Sequence, residues 1–168
     1  MTLSRNALLA FGLAILILVV DQLTKAWILD SLSLREVGQV LVWPPLLNFS
    51  YVENTGVSFG LFGGGGARWI LAIFSLVVAG VLAWWALKAE RRLLAIAIGL
   101  VIGGAIGNVI DRIRFGYVVD FVDVSGIGFF PWVFNVADSA ITIGVLLLIL
   151  DSILSERAAK VGAAPEKS

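Results

Sequence analysis

The chain has 168 residues, 60% hydrophobic and 14% charged, with 12 basic and 12 acidic side chains. The apolar share lies above the ~45–50% of soluble domains and the net charge is zero, which excludes an ordinary soluble domain and leaves no global field to attract nucleic acid. Cysteine and histidine are both absent, which excludes disulfides, thiolate nucleophiles, Cys-ligated metal, Ser-His-Asp and Cys-His catalysis and HExxH zinc sites. The expectation is one membrane-embedded domain over 1–168, with no metal and no cofactor.

The first apolar segment runs from about Ala7 to Leu29 and contains Asp21 and Lys25. Its run would also suit the apolar part of a cleaved signal sequence. However, "DQLTK" follows it, not a small-x-small cleavage site, so it is read as a retained span. Asp21 and Lys25 share a helix face at four-residue spacing and can neutralise one another. Residues 30–67 then form a long outer connection. In it "EVGQVLVW" and "LLNFSYV" read as strands interrupted by Pro44-Pro45, which breaks pairing. A small β-element on the outer membrane surface is expected there, and the glycines at 63–66 read as a flexible joint.

The second segment, about 68–87, leads through "KAERR" into the third, about 93–110. Gly99, Gly103 and Gly107 stand at four-residue intervals on the third, a seam for close helix approach in lipid. A second outer connection covers 111–133. The fourth segment, about 134–154, carries Asn135 and Asp138 in its first turns, and a flexible tail over 157–168 follows. Each segment has roughly the 17–25 residues that cross a ~30 Å hydrocarbon core, where backbone must be helical. Lys88, Arg91, Arg92, Arg157, Lys160, Lys167 and Arg5 mark one side as cytoplasmic, so four spans put both termini there. Trp43, Trp69, Trp132, Tyr51 and Tyr117 fit an outer aromatic belt, and Trp84 and Trp85 an inner one.

The polar residues at membrane depth cluster at the outer helix ends. Asn108 and Arg112 lie four apart, Asn135 and Asp138 three apart with Thr142 a turn deeper, and Asp120 sits in the apolar phrase "YVVDFV". An Asp near the middle of a membrane helix costs roughly 2.5–3.5 kcal/mol, so polar groups converging at one depth point to a site. If Asp120 folds back toward Asp138, the two carboxylates cannot both be charged and share a proton. One can take a proton from water while the other donates to a carbonyl oxygen, which is general acid–base hydrolysis. Arg112 braces the fold or a carboxylate, and Asn108 and Asn135 orient a carboxylate or a substrate carbonyl. Asn54, two residues before Gly56, suits a tight turn near the site. Asp123 reads as solvated, Asp111 as a helix-end charge and Glu53 as exposed. Phe59 and Phe121 could line the site or simply pack.

The phrases "DQLTK", "VENTGVSFG", "GGAIGNVIDR", "GYVVDFVDV" and "FNVADSAI", in this order along the chain, resemble the sequence blocks of bacterial lipoprotein signal peptidase, or signal peptidase II. The resemblance implies an all-α integral membrane fold of four transmembrane helices, with a small extracytoplasmic β-cradle and a short surface helix. It implies an aspartyl endopeptidase of the bacterial inner membrane that removes signal peptides from diacylglyceryl-modified prolipoproteins at the lipobox cysteine. Its site would lie near the extracytoplasmic face, open to globomycin-type inhibitors, in a monomer surrounded by membrane lipid. By matching motifs the dyad is Asp120 and Asp138. Asn54, Gly56, Asn108, Arg112 and Asn135 line or support the site, and Asp21 and Lys25 are structural or supporting. Two other readings of the same residues are a proton-coupled transporter with Asp138, Asp120 and Arg112 as relay, and an assembly subunit held by polar contacts.

Overall fold

A computed structural model describes residues 3–56, 66–128 and 132–162. Phe59, Lys167 and the glycines at 63–65 lie outside these residues. Helix α1 (Arg5–Ala26) widens into a π-type turn over Trp27–Ser31, followed by the short α2 (Leu34–Val37) and strands β1 (Gln39–Trp43) and β2 (Leu47–Asn54). Then come α3 (Gly66–Ala86), α4 (Arg92–Arg114), β3 (Val118–Asp123), a 3-10 turn over Ser125–Ile127, β4 (Val133–Phe134) and α5 (Val136–Gly162). Four of the helices are long and apolar enough to cross a membrane: Arg5–Ser31, Gly66–Ala86, Arg92–Arg114 and Val136–Lys160. Their bounds match the four expected segments to within a turn, with two differences. Helix α4 continues past 110 and carries Asp111 and Arg112 as helical residues, and α5 continues as helix through 157–162, where a tail was expected.

Helix α4 is the centre of the bundle. Its apolar window is 72% buried, against 22% for each of the other three, because α1, α3 and α5 all pack on it. The glycine stripe makes this possible. A Cβ on Gly99 would lie 2.5 Å from the Ala10 carbonyl oxygen, and one on Gly103 2.6 Å from that of Ala14, so α1 and α4 meet backbone to backbone. The next glycine differs: a Cβ on Gly107 would lie 2.6 Å from Asp21 Oδ2. The outer part of the seam therefore makes room for a carboxylate as well as for a helix. Large apolar side chains such as Ile15, Leu23, Ile73, Phe74 and Leu146 stand exposed around the bundle, the pattern expected where lipid is the solvent.

The far end of the bundle is closed by polar caps on backbone groups. Asn6 Nδ2 donates to the carbonyls of Ala89 (3.1 Å) and Glu90 (2.7 Å), and Ser4 caps α1 by accepting from Ala7 N. Arg91 makes a two-pronged ion pair with Asp151, tying the start of α4 to α5.

At the other end the four strands form one antiparallel sheet in the order β1-β2-β3-β4. Pro44-Pro45 separates β1 from β2 along the chain, as expected, but does not break their pairing. The prolines sit in the hairpin turn, Leu46 N donates to Trp43 O at 2.8 Å, and the strands pair from Gln39↔Ser50 to Trp43↔Leu47. Residues 118–123, expected as part of a connection, form the central strand β3, paired with β2 from Asn48↔Asp123 to Asn54↔Val118. The register shifts between Phe49 and Val52, opposite Phe121, a bulge of the kind that re-aims side chains beside functional sites. Phe121 is core: it packs on Phe49 with Ile28 and Leu34 behind.

A close-approach glycine has a measurable consequence. Gly99→Ala is expected to lower bundle stability by ~1–3 kcal/mol through overpacking against Ala10. Gly80→Ala, on open helix surface, is expected to be neutral or stabilising by up to ~1 kcal/mol. Thermal unfolding of the detergent-solubilised variants checks both.

Candidate active site

The site grows from a buried ion triad at the sheet end of α1 and α4. Lys25 Nζ lies 2.8 Å from Asp21 Oδ2 and 2.8 Å from Asp111 Oδ2, all three side chains being almost fully buried. Each carboxylate also holds backbone from another element. Asp21 Oδ1 accepts from Ala137 N (3.0 Å) in the first turn of α5, and Asp111 Oδ2 accepts from Val119 N (3.1 Å) of β3. Gln22 Nε2 donates to Asp111 Oδ1 (3.1 Å) and Gly107 O (3.3 Å). The triad thus fixes α5 and β3 relative to α1 and α4. Asp111 lies in the last turn of α4, the helix-end charge expected, and it is buried and paired. It continues the stripe Gly99, Gly103, Gly107 by one more step of four, and that spacing, read one step further, places it on the α1 face.

Three asparagines stand between this triad and the two remaining carboxylates. Asn135 begins α5 as its cap, its Oδ1 accepting from Asp138 N at 2.8 Å. Its Nδ2 donates to Asp120 Oδ1 at 2.7 Å and also reaches Val119 O (3.2 Å) and Asn108 Oδ1 (3.3 Å). Asn54 Nδ2 donates to Asp120 Oδ2 at 2.9 Å, while its Oδ1 accepts from Gly56 N at 2.8 Å and closes the turn after β2. Gly56 has φ +75°, and a side chain there would run into Leu71 and toward Arg112 Nη2, so only glycine suits this turn. Asn108 Nδ2 donates to Asp138 Oδ1 at 2.8 Å. Asp120 is 2% exposed on the central strand; Asp138 is half-buried in the first turn of α5. Asp120, Asp138, Asn54, Gly56, Asn108 and Asn135 therefore lie in one hydrogen-bonded cluster with Asp21 and Lys25 of the triad.

Arg112 also stands here, but not as an ion-pair partner. Its Nη1 donates weakly to Asn108 O (3.4 Å), and its buried Nε has no partner among the described residues. Asp123 departs from expectation: it is buried and accepts from Ser125 N (2.9 Å), Ser50 Oγ (2.5 Å) and Gln39 Nε2 (3.4 Å). The serine donors, Ser125 first, hold its carboxyl below the usual range. Its role is to pin the hairpin and the 3-10 turn to β3. Glu53 is exposed as expected, beside Arg35 at 3.7 Å.

Asp120 is electrostatically unusual. Burial, and after it the Asp138 charge, push its carboxyl up to about 7, against the two amide donors that favour the ion. A groove of about 340 Å³ opens at Asp138, lined with it by Val124, Trp132, Phe134, Ser139, Thr142 and Ile143. Apart from Thr142 and the belt residue Trp132, these residues carry no periodic signal in the sequence, because they come from the 3-10 turn, the β4 edge and one face of α5. Seven of the eight buried polar or charged residues lie at the sheet end, the other being Asp151. Among the described residues the bundle between these two levels carries no buried charge.

Comparison with known proteins shows the family and the fold. The sequence model of signal peptidase (SPase) II matches residues 13–154. A lipoprotein signal peptidase of Caulobacter vibrioides is 50% identical over 158 residues, covering 93% of each chain. One from Rhizorhabdus wittichii is 46% identical over 151 residues, covering 87% of this chain and 86% of the other. A bacterial membrane enzyme solved by the in meso method at 2.3 Å resolution superposes with a TM-score of 0.76 at 29% identity, covering 95% of this chain and 93% of that one. A second such structure, at 1.9 Å, gives 0.74 at 32% identity, covering 84% and 90%.

The raised Asp120 carboxyl predicts a pH-dependent stability. The folded chain keeps this proton to about pH 7, whereas an unfolded Asp releases it near 3.8. Between these values the folded state binds more protons, so this group's contribution to stability falls as pH rises. Melting temperature is expected to decline over that window, with a shallower decline in Asp120→Asn. Equal slopes for the two proteins would contradict the raised carboxyl.

Proposed function

The chain belongs to the signal peptidase II family of aspartic-type peptidases, and from that premise we propose that it removes the signal peptide from diacylglyceryl-modified prolipoproteins at the lipobox cysteine, with Asp120 and Asp138 as the catalytic pair. The observation that carries this reading is the amide frame. Asn54 and Asn135 aim donors at Asp120, and Asn108 aims one at Asp138, so two carboxylates are held apart from the ion triad, with Asp138 on the wall of an apolar groove.

In this mechanism Asp120, whose carboxyl is raised to about 7, enters holding the shared proton and Asp138 enters ionised. Asp138 takes a proton from water as the water oxygen bonds to the carbonyl carbon preceding the cysteine. Asp120 gives its proton to that carbonyl oxygen, forming a neutral tetrahedral diol. The C–N bond then breaks as Asp138 returns its proton to the leaving nitrogen and Asp120 recovers the diol proton, releasing a carboxyl-ended signal peptide and a free cysteine amine. No covalent enzyme intermediate is needed. The groove of Trp132, Phe134, Thr142 and Ile143 receives apolar substrate arriving sideways from the bilayer, and globomycin-type cyclic peptides occupy the same cleft.

The four spans support a seat in the bacterial inner membrane, and the proposed enzyme acts there as a monomer. The basic turn of Lys88, Arg91 and Arg92, with Arg157 and Lys160 of α5, assigns the Arg91–Asp151 end to the cytoplasm. The sheet, α2 and the dyad then face the extracytoplasmic side, and both termini are cytoplasmic. The absence of buried charge between the two ends, among the described residues, weighs against a proton relay across the membrane.

Purified protein in lipid vesicles, given a synthetic diacylglyceryl-cysteine precursor, is expected to cut it. Asp120→Asn and Asp138→Asn are each expected to slow cleavage by ~10²–10⁴-fold with folding retained. Cleavage near the parent rate in either variant would remove that residue from the mechanism. Proton flux in vesicles without cleavage would support the transporter reading instead.

A further inference from the structure

The ammonium of Lys25 has three donors, and two of them serve the ion pairs with Asp21 and Asp111. The third reaches Asn108 Oδ1 at 3.3 Å. Among the described residues Asn108 is the one side chain hydrogen-bonded to both the triad and Asp138, and its amide can be read in only one orientation. As placed, its oxygen accepts from Lys25 and from Asn135 Nδ2, and its nitrogen donates to Asp138. Turned over, its NH₂ would face an ammonium and a second NH₂, and its oxygen would face a carboxylate. Asn135 is fixed independently, because the Asp138 backbone N–H can only donate and the Val119 carbonyl can only accept. Of the two donors that hold Asn108, Lys25 is the charged one, and it presents a donor however its head rotates.

We infer that Lys25 is a positioning residue of the reaction as well as the keystone of the fold: it locks the Asn108 amide with its NH₂ toward Asp138, so that Asp138 meets substrate as an oriented proton acceptor. This rests on the Asp120 and Asp138 chemistry proposed above. Two ion pairs alone would satisfy a purely structural lysine, and the third bond runs toward the dyad.

A single Lys25 substitution leaves Asp21 and Asp111 facing each other without a cation, so the test uses Lys25→Met/Asp111→Asn, which removes the donor to Asn108 and keeps the triad at net charge −1 (−1 +1 −1 before, −1 +0 +0 after). In the reconstituted enzyme this variant is expected to lower kcat on the order of 10–100-fold with KM little changed. In an Asn108→Leu background it is expected to lower kcat no further, since the link is already cut. A kcat per folded molecule equal to the parent's, or full additivity with Asn108→Leu, would overturn the inference. If the double variant does not fold, the unaltered protein still decides. Solid-state NMR of protein labelled at Asn ¹⁵Nδ2 and Asp ¹³Cγ is expected to place Asn108 nitrogen in contact with the Asp138 carboxyl, and the reverse orientation would overturn it. Asp120→Asn and Asp138→Asn run alongside: retained cleavage in those would sink the dyad itself, while their loss with a silent Lys25 variant would sink only the positioning role.

Discussion

One ammonium between two carboxylates holds this molecule's working end together. Lys25, Asp21 and Asp111 are removed from water, and breaking such a set by deleting one partner typically costs ~3–5 kcal/mol. What makes the triad central is its second set of bonds. Through Ala137 N and Val119 N it fixes where α5 begins and where β3 leaves α4, and these two elements deliver Asp138 and Asp120. Without glycine at 107 the carboxylate of Asp21 could not enter the α1–α4 seam. Packing in the bundle and geometry at the site are therefore one constraint.

The triad and the dyad handle charge differently. In the triad, each carboxylate has a cation. In the dyad, the donors are neutral amides, and Arg112 stays without an ion pair among the described residues. Amides orient a carboxylate without neutralising it, and in the proposed mechanism this lets the pair hold one proton between them and exchange it with substrate. An arginine clamped on either Asp would favour the ion and remove the acid.

The helices were legible because membrane length and apolar content determine them, and the convergence of Asp120 and Asp138 on one polar cluster was legible because an ionisable group at membrane depth calls for a partner. The strand character of 118–123 was not. Its residues read as an apolar run, and only pairing with β2 across an intervening bundle makes it the sheet's centre. Asp123 was misread for the same reason: its partners Ser50 and Gln39 are distant in sequence. Pro44-Pro45 signals interruption, but a hairpin turn and a broken pairing look alike without the register. Of the groove beside Asp138 only Thr142 and Trp132 left a trace, since its lining comes from three separate elements. Lys25 was legible as half of an ion pair, but its third bond depends on how α1 and α4 meet.

The most direct test of the shared proton is a carboxyl ¹³C NMR titration of Asp120 in the reconstituted protein, with and without the charge on Asp138. The account predicts a step near pH 7 in the unaltered chain that moves to lower pH in Asp138→Asn, where burial alone remains to raise it. A step in the ordinary carboxylate range in the unaltered chain, or one that stays in place when Asp138 is neutralised, would contradict the coupled dyad.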